Sequence, residues 1–264
     1  MDSLFIWKLI LAFLVGGAGI ALTTVAAERF GSKVGGFIGG LPSTSFLSFL
    51  FIGLAQGPLA AAEATTVFPL IQAIDVFFLV ILGWLLNKGL KTALASSFFV
   101  WLVFAILTVL MQPHNFFLLI FLGLAIFVVA IFIFNKKFGY LTVGGEKIIY
   151  SPQQILGRAV FGGTIIFMAV LLSKIGGPVF GGIFSAFPAM FTSTMIISYR
   201  AKGINFARAL VKPLTTTATV TCIIYGMGVR YFYPSLGLAL GTIAAYSIAA
   251  ASAWLTYKFL LNKI

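Results

Sequence analysis

The chain reads as an all-α polytopic membrane protein: a bundle of about nine spans, built as two four-helix repeats of inverted topology joined by a fifth helix. Three observations carry that expectation. Of 264 residues, 61% are hydrophobic and 8% charged, with a mean hydropathy of +1.14, so the chain lacks the polar surface that a soluble domain turns to water. Nine apolar runs each approach the roughly 20 residues that a spanning helix needs, since no water inside a bilayer satisfies backbone groups. Finally, residues 8–63 are echoed without a gap by residues 154–209 at a constant offset of 146.

The first run, near 4–26, ends where Glu28-Arg29-Phe30-Gly31-Ser32-Lys33 combines charge with a helix-stopping glycine. The second, near 34–54, ends at Gln56-Gly57-Pro58, where proline removes a helical donor. The third and fourth, near 65–86 and 92–111, flank Lys88 and Lys91, and Gln112-Pro113-His114-Asn115 closes the fourth. His114, the sole histidine, is read as an exposed turn residue. The fifth run, near 116–134, leads into the one long polar connection, Asn135–Gln154, read as a surface linker with a small hairpin at Val143-Gly144-Gly145-Glu146. The last four lie near 155–173, 179–199, 209–229 and 235–257. The organisation is therefore a first repeat over 1–111, a connecting helix and linker over 112–154, and a second repeat over 155–264.

Glycine and proline carry the register of the repeat. Gly16-Gly17 recurs as Gly162-Gly163, Gly31 as Gly177, Gly35-Gly36 as Gly181-Gly182, Pro42 as Pro188 and Gly57 as Gly203. Chance matches in so apolar a chain would fall mostly on Leu, Ile or Val, whereas agreement at the backbone-special residues implies shared architecture. Met1–Ala27 has the apolar stretch and small residues of a cleavable signal. Its counterpart at 155–173 argues that it is instead a retained helix.

Alternating helix direction places 14 of the 17 basic residues on one face and leaves Lys8, Lys174 and Arg230 on the other. The positive-inside rule then puts the amino terminus outside and the carboxyl terminus in the cytoplasm of a prokaryotic inner membrane. The net charge of +12 is thereby a topology signal, with attraction to anionic lipid as its companion. Nothing points to nucleic acid. Five helices separate the start of one repeat from the start of the next. Five is odd, so the halves enter the membrane from opposite sides, a recurring design of secondary transporters.

The sharpest local pattern lies in the second and seventh runs. Gly35, Gly36, Gly39 and Gly40 precede Pro42, Ser43 and Thr44, just as Gly181, Gly182 and Ser185 precede Pro188, Thr192 and Ser193. Each proline is expected to break its helix near the membrane interior, freeing carbonyls and helix-end amides to line a substrate path. The competing reading is that the small residues serve close helix packing. Asp75, near the middle of the third run, is the candidate coupling residue: an intramembrane carboxylate must find partners, face water or stay protonated. Its repeat equivalent is Thr221, which shares a helix face with Thr217; hydroxyls bonded to their own helix carbonyls are the alternative there. Arg158, Arg208 and Lys212 are candidates for an anion-attracting inner vestibule, against snorkelling of long side chains at helix ends.

The single cysteine, Cys222, cannot form an internal disulfide, and no zinc spacing, HExxH or GxSxG occurs, so no metal, cofactor or enzymatic activity is expected. Phe187-Pro188 with its preceding small residues and Gly203, together with Leu41-Pro42-Ser43-Thr44 and Gln56-Gly57, resembles the GlpM-like family of small bacterial inner-membrane proteins. The chain looks like a fused pair of such units, over the first to third and sixth to eighth runs. The resemblance implies membrane location and fold; the family is linked by name to glycerol metabolism and alginate production and has no settled activity to carry over. The functional expectation is a transporter or exporter of a small polar or anionic solute. The alternatives are a lipid flippase and a non-transporting partner of an envelope or polysaccharide assembly. Membrane lipids and an unidentified solute are the expected partners, and the small size of the chain admits a homodimer.

Overall fold

A computed structural model describes residues 2–29, 41–138, 149–256 and 258. The described residues are helical with short turns, and no strand occurs among them. The expected hairpin at Val143–Glu146 and the glycines Gly35, Gly36, Gly39 and Gly40 lie outside the described residues.

The helices in chain order are α1 (Ser3–Arg29), α2 (Ser43–Gln56), α3 (Pro58–Ala64), α4 (Phe68–Leu85), α5 (Leu90–Met111) and α6 (Phe116–Phe138). They continue as α7 (Pro152–Gly176), α8 (Pro178–Ser185), α9 (Ala189–Pro213) and α10 (Thr219–Thr256), with a π turn over Leu214–Ala218 between the last two. Five helical stretches are long and apolar enough to cross a membrane: Ser3–Glu28, Phe68–Lys88, Leu90–Met111, Pro152–Gly176 and the run Pro178–Thr256. Exposed Leu110, Phe121, Phe132 and Leu240 present an apolar exterior suited to lipid.

α4 is the central helix. Its apolar window is 72% buried, against 22% for α5, and Phe68, Ile71, Phe78, Leu79 and Leu82 are fully enclosed. α6 approaches it at Gly123, where a Cβ would stand 2.8 Å from the Pro69 carbonyl oxygen. Neither turn expected after the second run nor the long seventh run is a simple element. A short helix, α3, follows Gly57, and the seventh run is divided into α8 and α9 at Ala186–Pro188.

The offset of 146 reappears in the backbone. Pro42 (φ −79°, ψ 53°) and Pro188 (φ −76°, ψ 43°) take one conformation at the start of α2 and α9. Gly57 (φ 100°, ψ 160°) and Gly203 (φ 79°, ψ −174°) share another, which only glycine adopts readily, and each joins two helical segments.

It also reappears in packing. α1 and α7 form the most extensive helix pair, and they meet through their matched glycines. A Cβ on Gly16 would lie 2.7 Å from Ile166 Cδ1, and one on Gly162 would lie 2.8 Å from Ile20 Cγ1. A Cβ on Gly17 would lie 2.9 Å from the Ala159 carbonyl oxygen, and one on Gly163 would lie 2.6 Å from that of Phe13. Each contact becomes its companion when the two repeats are exchanged. Along α1 the partners in α7 fall in number, so the two helices run antiparallel.

Candidate functional site

At each proline the chain turns in a manner close to an inverse γ-turn. Ser43 N–H donates to the Leu41 carbonyl at 2.8 Å, and its equivalent, Ala189 N–H, donates to that of Phe187 at 2.7 Å. Proline lacks the helical donor, and at each of these positions a helix starts directly after it; at Pro188 the preceding helix, α8, has ended at Ser185. No side chain caps α2 or α9. Their first-turn N–H groups are the orphan donors that give helix amino termini a partial positive charge.

The two proline turns meet. Ser45 Oγ, in the first turn of α2, donates to the Ser185 carbonyl oxygen at the end of α8 at 2.9 Å. Between them lies a cavity of about 50 Å³, bounded by Leu41–Ser45 from one break, Ala186–Pro188, Met190 and Phe191 from the other, Gln72 and Asp75 of α4, and Cys222 of α10. That volume suits a few waters or a small ion and is well below the roughly 300 Å³ of a drug-sized site.

Asp75 is fully buried. Its Oδ1 accepts a 2.7 Å hydrogen bond from Trp101 Nε1 of α5, and among the described residues its Oδ2 has no partner. Gln72 precedes it by three residues, placing both side chains on one face of α4. Gln72 Oε1 and Thr44 Oγ1 are likewise buried and without a partner among the described residues. Trp101 in turn packs edge-on against Phe187 at 5.0 Å, and Phe98, Phe161 and Phe184 surround the same ring. The break is thereby held in an aromatic wall.

Of the candidates read from sequence, Pro42, Ser43, Thr44, Asp75 and Pro188 line the cavity. Ser185 contributes its carbonyl to the cross-break bond, while its hydroxyl donates to the Gly181 carbonyl at 2.7 Å. The hydroxyls of Thr192 and Ser193 bond back to the Pro188 and Met190 carbonyls. Gly181 and Gly182 serve close packing. A Cβ on the first would stand 2.7 Å from Ser173 Cβ, and one on the second would collide with the Ala64 carbonyl oxygen. Thr221 Oγ1 is buried without a partner, and the side chain of Thr217 lies outside the described set.

The basic residues are engaged by the protein. Arg158, expected to snorkel, is 6% exposed; its guanidinium donates to Thr194 Oγ1 at 3.1 Å and lies over the Tyr150 ring. Arg208 donates to the Gly83 and Trp84 carbonyls. Arg230 donates to the Ala62 carbonyl and Thr66 Oγ1 and stacks on Phe116. Arg208 and Ala62 are repeat equivalents, as are Arg230 and Trp84, so these two clamps also exchange with one another. Lys212 makes interactions within the protein as well.

Gln72, Ser45, Trp101 and Cys222 are site residues that sequence reasoning missed. For Gln72 a signal was present, a second polar side chain one turn from Asp75 in an apolar run. For Trp101 there was none, since an aromatic residue in a spanning helix reads equally as lipid-facing. Among the described residues no three His, Cys, Asp or Glu side chains cluster as a metal site. Comparison with known protein families, with curated proteins and with solved structures gave no match.

Proposed function

We propose that the protein is a secondary transporter of a small polar or anionic solute, working by alternating access between two inverted repeats around the cavity at Pro42 and Pro188. The observation that carries the reading is the meeting of two equivalent proline turns, each starting a helix, beside a buried carboxylate that is incompletely satisfied among the described residues. Interrupted helices of this kind supply helix-end amides to anionic groups and free carbonyls to coupling ions. A buried intramembrane acid marks a functional site by default.

Inversion has support from geometry. The reciprocal contacts at Gly17 and Gly163 imply a local two-fold operation, and antiparallel α1 and α7 require its axis to lie across the helices. If these helices span the membrane, that axis lies in the membrane plane. The clamps of Arg208 and Arg230 agree, because the charge distribution assigns these residues to opposite faces. On this reading the nine-span chain sits in a prokaryotic inner membrane with its amino terminus outside, its carboxyl terminus and 135–154 linker in the cytoplasm, and a homodimer allowed. The likeness to fused GlpM-like units fits this architecture and adds no activity. The flippase alternative loses its motivating feature, since Arg158 and Arg208 are held by protein groups.

The test is accessibility from both sides. Single cysteines at Thr44 and Met190, in a Cys222→Ser background and in sided vesicles, are expected to react with a membrane-impermeant thiol reagent from either face. Reaction from one face alone under all ion and pH gradients would remove alternating access.

A further inference from the structure

We infer that the cavity between the helix breaks is a binding site for a dehydrated alkali cation, Na⁺ above all, held by Asp75 Oδ2, Gln72 Oε1 and Thr44 Oγ1. The inference rests on the transporter reading for its role as the coupling ion, and on the cavity alone for binding.

Asp75, Gln72 and Thr44 line one small cavity; among the described residues Asp75 Oδ2, Gln72 Oε1 and Thr44 Oγ1 have no hydrogen-bond partner, and the three residues are 7% exposed or less. Two of them, the carboxylate and amide oxygens, are pure acceptors when Asp75 is ionised. A buried acceptor with nothing to accept from is costly, and buried charges are ordinarily paired or bound to a metal. A proton on Oδ2 would satisfy that oxygen and at most one neighbour. Water would hydrate these oxygens but leave the Asp75 charge without a counter-charge, whereas one cation supplies both. Among the described residues that line the cavity, Asp75 alone carries a formal charge, so one positive charge is neutralised and a divalent ion is not. An all-oxygen donor set selects a hard cation. The small volume and three protein donors favour Na⁺ over the larger K⁺. The amino termini of α2 and α9 favour negative charge nearby. The Asp75 carboxylate meets that preference, and in a transport cycle an anionic solute beside the cation would meet it further.

Trp101 makes the site observable. Trp7, Trp84 and Trp254 are at least half exposed, whereas Trp101 is 4% exposed and its indole is bonded to the same carboxylate. Full-length protein in detergent, held in choline chloride and titrated with NaCl, LiCl or KCl, is expected to give a saturable change in tryptophan emission and a matching calorimetric heat. Na⁺ should bind at least tenfold more tightly than K⁺. Asp75→Asn should abolish binding, Gln72→Ala and Thr44→Ala should each weaken it about tenfold, and Trp101→Phe should remove the optical change. Asp75→Glu, which keeps the charge, guards against misfolding and should retain measurable binding. The inference is overturned if no alkali cation gives a saturable response, if Asp75→Asn binds Na⁺ as the wild type does, or if acidification alone gives the change and Na⁺ does not compete. Binding is read without any solute, so intact Na⁺ binding with one-sided accessibility would sink the transporter reading and leave the site standing.

Discussion

Ser45 and Ser185, 140 residues apart, are joined by a single 2.9 Å bond from hydroxyl to carbonyl. It links the two halves directly where the helices α2 and α8 meet. A bond at that place both fixes the breaks against each other and must yield if the halves move apart.

Ser45→Ala is expected to lower stability by about 1–3 kcal/mol, the cost of leaving a buried carbonyl without its donor. Thermal unfolding in detergent measures this. If the bond also opens during the cycle, the same variant should exchange between inward- and outward-accessible states faster than the wild type. A variant as stable as the wild type would show that another group satisfies the Ser185 carbonyl.

The reciprocal glycine contact gives a sharper structural test. Gly163→Ala would bring a methyl group within 2.6 Å of the Phe13 carbonyl oxygen, and Gly17→Ala within 2.9 Å of the Ala159 carbonyl oxygen. Backbone cannot rotate out of the way, so each substitution should cost about 1–3 kcal/mol as α1 and α7 are forced apart. Gly157→Ala is the control, since nothing lies within 4 Å of its Cβ position, and helix propensity alone should make it neutral or stabilising by up to ~1 kcal/mol. Equal stability of all three variants would contradict the packing of α1 against α7.

Gly57 and Gly203 should respond alike because they share a backbone conformation. Nothing crowds either Cβ position, so the penalty of Gly57→Ala or Gly203→Ala is conformational strain, about 1–3 kcal/mol. A pair of closely matched losses in unfolding midpoint is the expected result. A large loss in one and none in the other would mean that the two joints differ in ways the backbone angles do not suggest.

These features differ in how far they could be read from the chain. Pro42 and Pro188 are local in their effect, each lacking a donor and standing directly before a helix, so these turns are legible in the sequence, although Pro234 is carried inside α10 and proline alone does not decide the outcome. The glycine register is equally legible, because only backbone-special residues resist replacement in an apolar chain. Whether Gly181 lines a path or packs against Ser173 depends on which helix lies opposite, and no spacing encodes that. Arg158 illustrates the same limit. Near a helix end it reads as a snorkelling cation, yet Met190 and Thr194 of α9 and Tyr150 ahead of α7 enclose it. The Asp75 partner on α5 was hidden for a related reason, since Trp101 follows no polar pattern that would turn it inward.

Cys222 supplies a native reporter for the last expectation. It is the only cysteine in the chain, it is 7% exposed, and it lines the cavity. With so little of its surface exposed, the thiol should label slowly in detergent at rest with a small reagent such as N-ethylmaleimide. Opening of the breaks exposes the cavity, and labelling should then follow the open population. Separating the Ser45–Ser185 pair by Ser45→Ala should raise the labelling rate several-fold. Na⁺ filling the cavity should lower it in the wild type and leave it unchanged in Asp75→Asn. Mass spectrometry of the intact chain counts the single adduct directly. Rapid labelling of the wild type, insensitive to Ser45→Ala and to Na⁺, would mean that Cys222 is reached by a route other than the helix breaks and that the cavity is not the gate.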